Sequence, residues 1–175
     1  EVTSLYDELN RKVSRATPGV CTTLYHYSLA GNLHQIYENY PIASSLTDRI
    51  VTNSYDSVYR LAREDIDEGA DGSVDTATTY TYDTAHNRIG KIVTGGAKAG
   101  NWINTFNDLN QLTESFEDTD GNGILNGSEV LVTYSYDANG ACATRAEGTA
   151  IDYYSYDFEN RLVFLEMASG EAPGD

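Results

Sequence analysis

Tyr156-Asp-Phe-Glu-Asn-Arg-Leu162 is the last copy of a short signature that recurs along this chain of 175 residues. Each copy has an aromatic residue, then Asp, Asn or Ser, then a turn, and usually Arg, Asn or Gln followed by an aliphatic residue. The seven copies start at Tyr6, Tyr27, Tyr55, Tyr82, Phe106, Tyr136 and Tyr156. A signature that repeats at this kind of interval indicates an array of similar structural units.

Each copy is predicted to form a β-hairpin. The aromatic residues before the turn alternate, as Tyr80 and Tyr82 do, and a period of two places them on one face of a strand. The next side chain can accept hydrogen bonds from backbone N–H groups and start the turn. The aromatic–aspartate pairs of the signature are Tyr6-Asp7, Tyr55-Asp56, Tyr82-Asp83, Tyr136-Asp137 and Tyr156-Asp157. We therefore expect an all-β chain, with no helix longer than about two turns.

The acidic loop at residues 118–129 has the pattern of an EF-hand calcium loop. Oxygen-bearing side chains occupy positions 1, 3, 5, 9 and 12, with glycine at position 6. The expected Ca²⁺ ligands are Asp118, Asp120, Asn122, the carbonyl of Ile124, Asn126 (directly or through water) and Glu129. The β-branched and aromatic residues that follow predict a strand, so we expect the loop inside a hairpin, without EF-hand helices. The alternative is a solvated acidic turn.

A second acidic loop, residues 67–78, lies in the same register. Asp67 follows Leu61 at the interval at which Asp118 follows Leu112. Its candidate ligands are Asp67, Asp71, Ser73 and Asp75. Because Gly69 and Thr78 stand at positions 3 and 12, we expect a weaker calcium site. The alternative is that these acidic residues only occupy a solvated hairpin tip.

The seven signatures resemble the YD repeats of the Rhs family, which includes bacterial Rhs proteins, shell components of Tc toxins and animal teneurins. The resemblance covers essentially residues 1–175 as a single array. It implies antiparallel hairpins laid side by side in a twisted or spiralling sheet, which in large members closes around a cargo. Seven copies are too few to close such a shell, and the self-cleavage region of shell-forming members has no counterpart here.

The chain carries 27 acidic and 11 basic side chains, for a formal net charge of −16. This charge argues against binding to nucleic acid and to anionic membranes. No apolar run approaches the roughly 18 residues of a membrane span. Because residue 1 is Glu and no signal peptide is visible, we expect a mature product or part of a longer protein. A loop that works at millimolar calcium favours an extracellular or cell-surface location.

No catalytic residues are predicted. The histidines His26, His34 and His86 fall at unrelated positions of the repeat, and no nucleophile elbow or zinc motif is present. Cys142 is interpreted as standing where other copies place Arg. We expect Cys21 and Cys142 to be separate thiols or to contact groups outside this chain. The 14 tyrosines, Trp102 and Phe106 are expected to pack mainly between neighbouring repeats.

The favoured function is a non-enzymatic, extracellular structural or adhesive module that is stabilised by Ca²⁺. Residues 168–175 are interpreted as a hairpin-tip loop before a further strand. The first hairpin of one copy is expected to stack head-to-tail on the last hairpin of another copy as a fibre, or on adjoining repeats of a longer rod. Two alternatives stay open. One is a wall segment of a toxin-encapsulating shell, and the other is a carbohydrate-binding surface, with glycans as partners.

Overall fold

The computed structural model describes residues 1–41 and 46–168, so most of the predicted closing loop at 168–175 lies outside the described residues. The regular structure of the described residues is all β, as the signature predicts. Its strands are β1 (Thr3–Tyr6), β2 (Lys12–Thr17), β3 (Cys21–Tyr27), β4 (Leu33–Asn39), β5 (Arg49–Tyr55), β6 (Leu61–Glu68), β7 (Thr76–Tyr82), β8 (Arg88–Thr94), β9 (Gly100–Phe106), β10 (Leu112–Glu117), β11 (Val132–Tyr136), β12 (Cys142–Glu147), β13 (Ala150–Tyr156) and β14 (Leu162–Glu166).

Strands that follow each other in sequence are neighbours in one antiparallel sheet, from β1 to β14. Each signature turn joins two such strands, so each predicted hairpin is confirmed. In the described part of the chain, no helix has the length and apolarity needed to span a membrane. Five hairpins shift register beside the signature tyrosine, at Tyr6, Tyr27, Tyr55, Tyr136 and Tyr156. A bulge of this kind bends the strand and increases its local twist.

The residue after the signature aromatic anchors the turn, as predicted. In the third copy, Asp56 Oδ1 accepts hydrogen bonds from the N–H groups of Val58 and Arg60, at 3.0 and 2.9 Å. The same bonds to the second and fourth following residues are made by Asp7, Asn107, Asp137 and Asp157. Asp83 makes the second of them, to Asn87. One side chain therefore satisfies two turn N–H groups that the strand ladder leaves without partners.

The arginine of the signature forms an ion pair with this anchor. The sequence did not predict this interaction. Arg11, Arg60 and Arg161 each form an ion pair with the aspartate four residues earlier, at 2.7 Å. The third residue after the anchor has a positive φ in all seven turns. That position is Asn or Gly in five copies, whereas Tyr59 and His86 adopt φ values of 65° and 71°. Bulky residues such as tyrosine resist this left-handed region, so the turn at Tyr59 is strained, whereas histidine adopts it more readily.

Hydrogen bonds also link four of the hairpins to the one before them. The hydroxyls of Tyr27, Tyr55 and Tyr136 donate to the carbonyls of Lys12, Leu33 and Leu112, at 2.8 to 2.9 Å. Each acceptor is the first residue of the preceding return strand. Phe106 has no hydroxyl, and in its copy the amide of Asn104 donates to the equivalent carbonyl, that of Arg88, at 3.1 Å.

The chain divides into two compact units. The first contains Glu1–Tyr80 and Ile92–Ala99, and the second contains Thr81–Lys91 and Gly100–Asp175. Val51, Ala77 and Val93 are the buried hydrophobic residues of the described chain, and all three belong to the first unit. Most other aromatic and aliphatic side chains are half-buried. Stability therefore comes mainly from contacts between adjacent strands, as in other repeat arrays.

The position of Cys142 corrects the sequence interpretation. The backbone N–H of Asp137 donates to the carbonyl of Ala141, as that of Asp56 does to Arg60. Ala141 therefore occupies the arginine position, and Cys142 takes the place of the first aliphatic residue of the return strand. Cys21 and Cys142 are both free and half-buried, as expected, and burial raises the pKa of the Cys142 thiol.

Removing the tyrosine hydroxyl should weaken the link between hairpins. We predict that Tyr136→Phe lowers the free energy of unfolding by about 1 kcal/mol, because the carbonyl of Leu112 loses its side-chain donor. Tyr153→Phe is the matched control, since Tyr153 is 47% exposed and its hydroxyl has no hydrogen bond among the described residues. Urea unfolding followed by circular dichroism measures both. Equal losses in the two variants would contradict a specific role for Tyr136.

The turn anchors should make the protein sensitive to acid. The N–H groups of the paired arginines lower the pKa of Asp7, Asp56 and Asp157 below the ordinary value. Their stabilisation is therefore fully present above the unfolded pKa near 4 and is lost as pH falls through the lower folded pKa. We predict a falling melting temperature between about pH 5 and pH 2.

Asp56→Asn should reduce this pH dependence, because Asn can still accept the turn N–H bonds but cannot ionise or pair with Arg60. Asp108→Asn, at an exposed turn position, should leave the curve unchanged. Identical pH profiles for the wild type and Asp56→Asn would refute the role of the anchor.

Candidate metal centre

The acidic loop at 118–129 connects β10 to β11. As predicted, it joins two strands without flanking helices among the described residues. The loop joins two strands that pair antiparallel with each other, and these strands belong to successive signature hairpins. Pairing between them covers Glu114 with Thr133 and Ser115 with Val132, and it ends there, while β10 stays paired with β9 as far as Glu117. The loop therefore lies at the strand ends opposite the signature turns.

Asp118 is the most buried residue of the loop, with 3% of its surface exposed. Its Oδ1 accepts the N–H of Gly121 at 2.8 Å, and its Oδ2 accepts the N–H of Gly123 at 2.9 Å. Asn101, on the neighbouring strand β9, donates its side-chain amide to the same Oδ2 at 2.8 Å. The loop thus wraps around one carboxylate that the sheet also holds.

Asp120 and two asparagines form the middle of the loop. Asp120 Oδ2 accepts the side-chain amides of Asn122 and Asn126, at 2.8 and 3.3 Å. Asn122 Oδ1 accepts the N–H of Ile124, and the carbonyl of Ile124 accepts the amide of Asn126 at 3.0 Å. The predicted ligand oxygens thus belong to one local hydrogen-bond network.

Glu129 closes the loop on its first residues. Its Oε1 accepts the N–H of Thr119 at 2.7 Å, and its Oε2 accepts the N–H of Asn126 at 3.0 Å. One carboxylate oxygen from each of Asp118, Asp120 and Glu129 lies within 4.8 Å of the others. Three carboxylates at this separation could hold a metal ion, and an all-oxygen set suits a hard cation.

Backbone donors keep these carboxylates ionised. Burial raises the pKa of Asp118, but the N–H groups of Gly123 and Gly121 bring it below the ordinary value. The N–H groups of Asn126 and Thr119 lower the pKa of Glu129. Both groups are therefore negatively charged at neutral pH, and their mutual repulsion favours a cation between them.

The second acidic loop, residues 67–78, also begins with a buried aspartate, but its connection between strands is shorter. Asp67 is 8% exposed, and its two oxygens accept the N–H groups of Asp71 and Gly72, at 3.1 and 2.9 Å. Asp71 accepts the N–H of Ser73, and Asp75 accepts the N–H of Glu68. Within residues 1–41 and 46–168, these carboxylates do not form a close group of three like that at 118–129.

Asn101 is the residue of this centre that the sequence reading missed. It precedes the loop by a whole hairpin, and only the pairing of β9 with β10 brings it to Asp118. Its Oδ1 is buried without a hydrogen-bond partner. A sequence pattern that considers the loop alone contains no signal for a ligand-positioning side chain on a neighbouring strand.

The sequence matches no family model and no curated protein. The fold is similar to that of three crystal structures, titled TcdB2-TccC3-TEV, TcdB2-TccC3-Cdc42 and TcdB2-TccC3 without its hypervariable C-terminal region. Their TM-scores are 0.57, 0.56 and 0.55, at 16%, 15% and 16% identity, over 97%, 95% and 95% of this chain. The chain spans 10% of each of those chains. The similarity supports a YD-repeat type of fold.

Proposed function

We propose that this chain is a non-enzymatic structural module of an extracellular protein, and that Ca²⁺ at residues 118–129 stabilises its sheet. The observation that carries the proposal is the acidic group of Asp118, Asp120 and Glu129, which sits on the connection between two successive hairpins. A cation there would hold the end of β10 near the start of β11, where the strand ladder stops.

The residues fit calcium in number and kind. Calcium takes six to eight oxygens. The three carboxylates, the side-chain oxygens of Asn122 and Asn126 and the carbonyl of Ile124 supply such a set. The loop at 67–78 offers fewer ligands, with Asp67, Asp71, Ser73 and Asp75, and we propose it as a weaker site. A site that fills only at millimolar calcium is suited to an extracellular location.

The sheet edge at β14 suits pairing with another hairpin of the same signature. Its apolar side chains are exposed: the exposed fraction is 52% for Leu162, 62% for Val163 and 55% for Phe164. The carbonyl of Leu162 is equivalent to the carbonyls of Lys12, Leu33 and Leu112. Each of those three accepts a hydrogen bond from the tyrosine hydroxyl of the next hairpin. We propose that a second copy, or a neighbouring repeat of the same longer chain, supplies the strand and the tyrosine.

A wall segment of a toxin-encapsulating shell is the second candidate function. The structural neighbours are Tc toxin shell proteins, and this chain matches one tenth of their length with nearly its whole own length. A segment of a wall and a segment of a rod use the same pairing of hairpins. They differ in what the parent protein encloses, so the surrounding coding sequence distinguishes them.

Calcium binding is tested by thermal unfolding. We predict that Ca²⁺ at a hundredfold excess over its dissociation constant stabilises the protein by about 2.7 kcal/mol relative to chelator. Glu129→Gln should remove most of this gain, because one of the three grouped carboxylates is lost. Asp67→Asn should remove less of it.

Glu8→Gln is the matched control, since Glu8 is exposed in the first signature turn, far from the loop in sequence. It makes the same change of charge and should keep the whole calcium effect. Superimposable melting curves of the wild type in calcium and in chelator would refute the calcium proposal.

Assembly is tested by light scattering and electron microscopy of the purified chain in calcium. We predict concentration-dependent association, which Val163→Lys should abolish because a charge on an exposed edge strand opposes pairing. Val58→Lys, at a turn residue that is 53% exposed, should associate like the wild type. A wild-type chain that stays monomeric at every concentration would rule out self-association and leave neighbouring repeats as the only proposed partner of β14.

A further inference from the structure

A cavity of about 410 Å³ lies beside the acidic loop in the second unit. Its volume falls within the range of about 300–1,000 Å³ that is usual for small-molecule sites. The residues that matter for recognition are Trp102, Glu117, Ser128, Val132 and Arg145, and Glu129 of the acidic group is also part of the wall. The loop therefore contributes to two neighbouring features, the acidic group and the cavity.

The cavity follows from the interrupted strand ladder. On one side, β10 continues to Glu117, which pairs with Trp102 of β9. On the other side, β12 continues to Glu147, which pairs with Val132 of β11. Between these strands the ladder ends at Ser115 and Val132, because the chain departs into the loop. The side chains at the two ends of this gap face a space that no strand fills.

Trp102 and Glu117 form a combined apolar and polar wall. Both side chains lie over Gly100, where an added Cβ would come within 2.6 Å of the indole ring and 2.7 Å of the Glu117 carboxylate. Glycine is therefore required at this position to seat the ring. The carboxylate of Glu117 has no hydrogen bond or ion pair among the described residues, so it is available to a ligand.

The charges around the cavity favour a neutral ligand. Lys91 lies 5.0 Å from the centre of the Trp102 ring, and Arg145 pairs with Glu147 and Asp152. Glu117, Glu129 and Glu147 line the cavity and, with the net charge of −16, oppose an anion, while Lys91 opposes a cation at the Trp102 ring. Hydroxyl groups can donate to a free carboxylate and accept from serine or arginine, and the carbon face of a sugar ring can pack on indole.

We propose that this cavity binds a neutral saccharide, with Glu117 accepting its hydroxyls and Trp102 contacting its apolar face. Thr119, Ser128 and Glu129 line the cavity and belong to the loop. Order in the loop therefore sets the shape of this wall, and binding is stronger when calcium is present. This calcium dependence rests on the calcium site proposed above, whereas the saccharide site itself does not.

Trp102 is the single tryptophan of the chain, so selectively excited fluorescence reports on this cavity directly. The probes are glucose and N-acetylglucosamine as neutral sugars, glucosamine as the cation and glucuronate as the anion, each titrated in calcium. We expect a saturable change with a neutral sugar and weaker binding of both charged sugars. The absence of a saturable change with either neutral sugar, or tighter binding of a charged one, would overturn the proposal.

Variants separate this site from general effects on the sheet. Glu117→Gln should weaken binding about tenfold, because a charged acceptor is lost. Glu114→Gln, on the same strand but outside the cavity, should bind like the wild type. Ser128→Phe adds bulk to the cavity from the exposed loop and should abolish binding while circular dichroism stays unchanged. Equal affinity in all three variants would place the sugar elsewhere.

Terbium luminescence sensitised by Trp102 measures the cation site in the same samples. One outcome is that terbium binds while the sugar affinity is equal in calcium and in chelator. This result would refute the calcium dependence of sugar binding and would still support the calcium site. Sugar binding without terbium binding would refute the proposed calcium site and the coupling to it, while supporting the saccharide site.

Discussion

The rest of the fold depends on the side chain that anchors each signature turn, which is aspartate or asparagine in six copies and Ser28 in the other. In five of the turns its oxygen accepts two backbone N–H groups at the point where the ladder must reverse, as Asp56 does, and this places the return strand beside its partner. Once the hairpin register is set, the signature tyrosine reaches the first carbonyl of the preceding return strand. Turn chemistry and hairpin stacking are therefore linked through a few adjacent residues, which explains why the signature persists while the connections between hairpins vary.

The sequence allowed the hairpins to be predicted because their determinants are local. Alternating aromatics define the strands, and Asp with Asn or Gly defines the turns. The acceptors of the tyrosine hydroxyls were not predicted, because a backbone carbonyl on another hairpin leaves no trace in the sequence. The arginine position of the sixth copy was misassigned for a related reason. Ala141 has no functional group to mark it, and only the bond between Asp137 and Ala141 reveals the alignment.

The two acidic loops show how far a ligand pattern predicts a site. Both start with a buried aspartate that accepts backbone N–H groups, as the common register suggests. In the second loop, however, the ladder continues to Ile66 and Thr76, so only a short connection remains. At 118–129 the ladder stops earlier, and the longer path lets Glu129 return to the first residues. The spacing of ligands was readable from the sequence, but the point at which strand pairing stops was not.

The same early stop has a structural cost that a cation can offset. Ending the ladder at Ser115 and Val132 leaves the last residues of β10 without a partner on one side, and it gathers three carboxylates. In an array with so few buried hydrophobic residues, such a gap weakens a link on which neighbouring hairpins depend. A bound cation would reconnect β10 and β11 without closing the space between β9 and β12. The interruption thus places the acidic group and the cavity side by side, as expected when binding features are placed in loops on a regular scaffold.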